Sequence, residues 1–226
     1  MVVTSNKALL ATYYPRLYHM SHPGSWPSIQ RHGLLSTTAL LDLFEITGDR
    51  RDKLECTRRT KSEEISHPSH GRAMLRDQQP ISETKLAKAL KDGLTPRDWY
   101  KLLNSKVFFW GPETRLKILQ GARLYAAHRQ TIIEIDTTRF LDRYADHVSL
   151  SRINTGSTLP MAWERGNDTF VPLEAYPLAD RRKRYGVKGA VAEVTIGYAV
   201  RDVQDFILVA YETGGTEPKK VLWTCS

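Results

Sequence analysis

Lys106-Val107-Phe108-Phe109-Trp110-Gly111-Pro112 is where the chain changes character. The run is aromatic and β-branched, which suits a strand, and Gly111-Pro112 closes it. On its N-terminal side the signals are mostly helical. Thr95-Pro96-Arg97-Asp98 supplies a Thr N-cap, Pro at the first helical position and an acid at the third, so a helix runs to about Asn104. Ser82 caps a second helix through Lys91 that ends at Gly93. Residues 37–45 form a third. A fourth, short helix is capped by Ser25, carries Pro27 in its first turn and ends at Gly33. Arg16–Met20 is the first strand. Residues 48–72 are highly charged and read as partly helical, then as an exposed loop around His67-Pro68-Ser69-His70-Gly71.

On the C-terminal side strands dominate. Thr131–Ile135, His147–Leu150, Ala190–Ile196, Asp205–Tyr211 and Lys220–Trp223 are β-prone. Thr114–Ala127 has helical spacing at Leu116, Leu119, Ala122 and Ala126. Thr137 caps a helical turn over Phe140 and Leu141, and residues 152–186 are expected to be mostly loop. Strict βαβ alternation is absent, so the expectation is an α+β fold. Neither GxGxxG nor GxxxxGK followed by Ser or Thr occurs.

The chain has 226 residues, 41% hydrophobic and 26% charged, as an ordinary globular domain has. It reads as one domain over residues 1–226 with a basic helical insert at about 45–104. No run of 18 apolar residues exists, so no membrane partner is expected. Met1–Lys7 lacks the pattern of a signal peptide, and Cys56 and Cys225 stand far apart; both features suit a cytoplasmic protein. Net charge is +8. Residues 50–130 hold 18 Lys/Arg against 9 Asp/Glu, so this third of the chain carries the whole excess. Such charge attracts phosphates, and a nucleic-acid partner follows as an expectation.

The close pairs His19/His22 and His67/His70 have no Cys or carboxylate companion at ligand spacing, so no metal is expected. Cys56 lies among Lys, Glu and Arg, which can lower a thiol pKa. Glu193 is more informative. In Val191-Ala192-Glu193-Val194-Thr195-Ile196 it shares a face with Val191 and Thr195 if the strand alternates. A carboxylate there either faces solvent on an edge or lines a cleft. His19 in the first strand, Arg76 after Met74-Leu75, and the aromatic run ending at Trp110 are further polar or flat groups that can converge with it.

The order of these features resembles a family. Tyr18-His19-Met20 is followed by Ser28-Ile29-Gln30-Arg31-His32-Gly33-Leu34-Leu35-Ser36. An Arg follows after a variable segment, then the aromatic strand Val107–Pro112, then Ile132–Asp136, and last Ala192–Ile196 before a hydrophobic strand. In this order the chain resembles the DarT-like branch of the ADP-ribosyltransferase superfamily, toxins that move ADP-ribose from NAD to nucleic-acid bases. The resemblance implies a split β-sheet core of two small sheets, NAD as co-substrate, a single-stranded DNA or RNA acceptor, and an antitoxin partner. It implies Glu193 and Arg76 as catalytic residues, with Arg72, Arg58 and Arg59 as rivals of Arg76. His19, Tyr18, Ser21, Ser36 and Phe109 or Trp110 would hold NAD, the aromatic one by stacking on nicotinamide. Arg152 and Asn154 would touch sugar or acceptor. In the family a hydroxyl residue usually stands two positions after the His; here Met20 and Ser21 follow, and that role passes to Ser21 or is absent.

Other readings compete. The same fold can act on protein, on a small molecule, or on water as an NAD glycohydrolase. A tRNA 2′-phosphotransferase-like enzyme suits His19 but not Glu193. A non-catalytic basic nucleic-acid-binding module needs neither.

Overall fold

A computed structural model describes residues 4–122 and 125–225. In chain order the elements are α1 (Asn6–Tyr13), β1 (Arg16–Ser21), α2 (Trp26–His32), β2 (Leu34–Leu35), α3 (Thr37–Leu43), α4 (Gly48–Cys56), β3 (Glu63–His67), β4 (Gly71–Leu75), α5 (Glu83–Ala89), α6 (Pro96–Asn104), β5 (Lys106–Trp110) and α7 (Glu113–Gly121). They continue with β6 (Gln130–Asp136), α8 (Thr137–Tyr144), β7 (Val148–Ser151), β8 (Val171–Pro172), α9 (Leu178–Ala190), β9 (Glu193–Gly197), β10 (Ala199–Val200), β11 (Ile207–Thr213) and β12 (Lys220–Thr224). The fold is α+β.

The expected pair of small sheets is one eight-stranded antiparallel sheet, ordered β12-β11-β6-β1-β5-β9-β7-β8, with two two-stranded ribbons, β10-β2 and β3-β4. The sheet has a seam. β1 pairs with β6 along all six of its residues, Arg16 to Ser21, and β5 pairs with β9 from Lys106 to Trp110. Yet β1 meets β5 only at Tyr18↔Trp110. The halves part beyond that pair, and the His19 ring spans the gap, its Nδ1 2.9 Å from the Phe108 carbonyl oxygen.

Opposed residues in an antiparallel ladder share a face. Leu17, Phe109, Ile133, Ile135, Leu150, Val194 and Ile196 therefore look one way, into a core closed by Leu10 of α1, Phe140 of α8 and Leu178 of α9. Tyr18, Met20 and Ile132 look the other way, beneath Leu116 of α7. The 45–104 segment builds its own small cores. Leu54, Ile65 and Leu75 pack against Leu41 and Phe44. Ile81, Leu86, Trp99, Tyr100 and Leu103 form another.

Local signals fare well where they are satisfied by neighbours in sequence. Thr95 and Asp98 form the full capping box of α6. Gly33 ends α2 at φ 78°, and a Cβ there would lie 2.4 Å from the Arg201 Cα, so only glycine fits. Several expectations are corrected. The charged loop ending at residue 72 is the β3-β4 hairpin, whose Ile65, Ala73 and Leu75 earn burial only against α3 and α4, so the insert is not purely helical. The loop expected over 152–186 contains β8 and most of α9, a helix bent at Gly186 (φ 67°) and anchored by buried Leu178 and Ala190. The helix expected to Ala127 stops at Gly121; residues 123 and 124 of that expectation lie outside the described residues, as do residues 1–3 of the signal-peptide reading. Asp136, not Thr137, caps α8, accepting from the Arg139 N–H, while the Thr137 hydroxyl donates to the Tyr14 carbonyl. Ser25 and Ser82 stand before their helices without a side-chain capping bond. Among the described residues no helix is long and apolar enough to cross a membrane.

Candidate functional site

Where the sheet halves part, a cavity of about 840 Å³ opens. This lies within the roughly 300–1,000 Å³ span of small-molecule sites. Its walls come from the end of β1, from β4, β5 and α7, and from the loop after β7.

Glu193 opens β9 and stands opposite Trp110 on one side and Ser151 on the other. Its side chain lines the cavity yet is only 2% exposed. The Thr155 N–H donates to Oε1 at 3.1 Å and the Thr155 hydroxyl donates to Oε2 at 2.7 Å. Burial pushes the carboxyl pKa up to about 7; the Thr155 bonds and the charges of Arg115 and Arg165 oppose that rise. Among the described residues no salt bridge holds this carboxylate. It is therefore a buried acid poised to gain or lose a proton near neutrality, and pKa values of that kind concentrate at functional sites.

His19 lies on the far wall. Burial lowers its pKa to about 4, and the Arg76 charge adds to the fall. The neutral ring donates Nδ1–H to the Phe108 carbonyl and leaves Nε2 as an acceptor. Arg76, just after β4, donates Nη1–H to the Met20 carbonyl at 3.2 Å and lies over the Tyr125 ring at 4.7 Å. Burial lowers its pKa as well, and Tyr125 and Asp77 oppose this. Tyr125 in turn donates to Asp77 at 3.0 Å.

The cavity brings together Glu193, Trp110, His19, Ser21, Arg76, Ser36 and Asn154. Ser36 is spent in part on capping α3, accepting from the Ala39 N–H. Other anticipated residues stand elsewhere. Phe109 points into the main core against Phe140 and the edge of His19, so it offers no face to a ligand in the cavity. Tyr18 packs in the cluster under α7, and Arg152 is exposed away from the cavity walls. Among the rivals of Arg76, Arg72 is exposed beside Glu64 and Arg58 donates to the Gln79 carbonyl. Arg59 touches the cavity but spends its donors on Leu54, Arg76 and Asn104. Cys56 is buried, and burial pushes its thiol pKa up, against the expectation of a lowered one.

Sequence reading missed four residues. Arg115, on the first turns of α7, lines the cavity with its Nε buried and unpartnered among the described residues. Thr155, next to Asn154, is the clamp on Glu193. Arg165 is 1% exposed and donates to the Trp163, Thr155 and Ser157 carbonyls, tying down the loop that carries Thr155. Tyr125 supports Arg76. For Arg115 a signal existed, a cation three residues after Gly111-Pro112 at the start of the expected helix; for the others none did.

A model of a family of unknown function, DUF7002, matches residues 15–207. The chain belongs to that family. The span shared with DUF7002 begins just before β1 and ends on the first residue of β11, so it contains both halves of the seam and every cavity residue named above. No curated protein matches the sequence.

Proposed function

We propose that the cleft binds NAD and transfers ADP-ribose to a base of a single-stranded nucleic acid, as the resemblance to the DarT-like ADP-ribosyltransferases implies. The observation that carries this reading is Glu193, a buried carboxylate without a salt bridge among the described residues, its pKa near 7, on the wall of a large cleft between two splayed halves of a sheet. The chemistry breaks the bond between C1′ of the nicotinamide ribose and the ring nitrogen, through an oxocarbenium-like transition state. Ionised Glu193 would stabilise that cation. As a base nitrogen bonds to C1′, Glu193 would take the proton it loses, and nicotinamide leaves. Trp110, directly across the ladder from Glu193, is the face on which nicotinamide would stack. Among the described residues Arg76 and Arg115 have no salt bridge to a carboxylate, and they would meet the diphosphate. His19, neutral and accepting at Nε2, would take a ribose hydroxyl. A base must be accessible to be modified, which favours a single strand. Toxin activity and an antitoxin follow from the same resemblance.

The test incubates the protein with labelled NAD and, separately, single-stranded DNA, RNA and a protein lysate. The expected result is label on a nucleic acid, with Glu193→Gln lowering the rate at least about 100-fold. Label on protein alone would replace the acceptor. NAD left intact in every tube would overturn the reading.

A further inference from the structure

The chain's basic excess lies in residues 50–130, and the fold pairs or occupies part of it. Arg51, Arg72, Lys91, Arg97, Lys117 and Arg129 each have a carboxylate in salt-bridge contact. Arg59 and Arg76 are occupied inside the molecule. Helix α9 differs. It carries Arg181-Arg182-Lys183-Arg184 and Lys188, with Asp180 as its one acid. Among the described residues none of these five cations pairs with a carboxylate. Four of the five belong to one unbroken run, and Arg182, Lys183, Arg184 and Lys188 are exposed.

The guanidinium groups are held by aromatic rings. Arg182 lies over Tyr13 at 4.7 Å, while Arg181 and Arg184 flank Tyr185 at 4.9 and 5.2 Å. Tyr185 itself is 48% exposed. Unpaired like charges this close repel one another, and an external polyanion relieves that repulsion. A run of exposed cations held in place by aromatic rings is suited to tracking a phosphate backbone. A membrane-surface helix would instead present an apolar face. The apolar side of α9, Leu178 and Ala190, is already buried in the main core.

We propose that the exposed face of α9 binds the phosphate backbone of a nucleic-acid strand. The inference goes beyond the transferase reading and stands whether or not the cleft turns over NAD.

Fluorescence anisotropy tests it on the full chain, with labelled DNA and RNA strands of about 20 nucleotides, without NAD, over a range of salt concentrations. The α9 variant is Lys183→Glu/Arg184→Glu/Lys188→Glu. A control of equal charge change, Arg50→Glu/Lys53→Glu/Lys101→Glu, lies in the insert. The expected result is binding to DNA, RNA or both, weakened at least about tenfold by the α9 variant, with the salt slope flattened by about 2; the control should lose less than about threefold. Equal loss in both variants would show a net-charge effect and overturn the proposal. So would unchanged binding in the α9 variant, or a wild type that binds only anionic lipid vesicles. If the triple variant fails to fold by circular dichroism, Lys183→Gln/Arg184→Gln replaces it, with a loss of about threefold expected. Anisotropy failing while NAD turnover succeeds would remove this surface alone, and the converse would remove the cleft chemistry alone.

Discussion

On the side of the main sheet packed by α1, α8 and α9, Leu17, Phe109 and Val194 are fully buried among apolar neighbours. One residue further along the same strands, or one before, Tyr18, Trp110 and Glu193 face the other way, and the last two line the cleft. The strands are shared and the backbone is continuous. Only the two-residue period of the strand separates a packing residue from one that lines the cleft. The comparison teaches that a carboxylate can be 2% exposed without belonging to the core, because its burial comes from a loop folded over it and not from apolar packing. Thr155 supplies the hydrogen bonds that make this burial tolerable, and Arg165 holds Thr155 in place.

Neighbouring substitutions should separate the two faces most sharply. Phe109→Ala should cost about 3–5 kcal/mol of stability, from lost burial and the cavity left among Phe140, Val107 and His19. Trp110→Ala should cost only about 2 kcal/mol, since Trp110 is half-buried, but should weaken NAD binding by an order of magnitude or more. Urea unfolding and ligand titration on both variants check this. If Trp110→Ala costs as much stability as Phe109→Ala, the two faces do not divide as described.

A smaller effect sharpens the role of the clamp. Glu193 has a folded pKa of about 7 against an ordinary 4.5, so its ionised fraction, and with it turnover, should rise as pH climbs through 7. In the same window, from about pH 4.5 to 7, the folded state binds more protons than the unfolded one. Stability from this group therefore falls as pH rises, and Glu193→Gln should remove that dependence. Thr155→Val takes away one bond to the charged form and should move the pH–rate midpoint upward by about 1–2 units. An unmoved midpoint would mean that Thr155 does not tune the acid.

The smallest effect is expected outside both faces. Arg72→Ala, at an exposed ion pair with Glu64, should change stability by less than about 0.5 kcal/mol and leave turnover as it was. Arg76→Ala should lower NAD affinity at least about tenfold, since a guanidinium–phosphate contact is charge-assisted. Equal effects from the two would return the choice among the arginines to an open question.

Much of the site was legible as single letters. Glu193 stood out as an acid in an apolar strand, and Trp110 as an aromatic at a strand end. Which of two adjacent aromatics faces the cleft was not legible, because alternation gives opposite faces without saying which is the core. The clamp on Glu193 was invisible for another reason: Thr155 and Glu193 are 38 residues apart, and nothing in a loop of Gly, Pro, Asn and Asp marks one hydroxyl as a partner. The hairpin in the charged insert was missed because Ile65, Ala73 and Leu75 find apolar partners only on α3 and α4.

The sequence by itself determined the α+β class, the capping box of α6, the glycine end of α2 and most strands of the main sheet. Each depends on neighbours within a few residues, where propensity and periodicity act directly. The tertiary structure alone decided that β1 and β5 meet at one pair and then part, that the gap becomes a cavity, and that Arg76 and not Arg72 stands in it. It also decided which cations remain unpaired. A charge count along the chain favours residues 50–130, whereas salt bridges form through space, and among the described residues they leave the consecutive cations of α9 without a carboxylate partner.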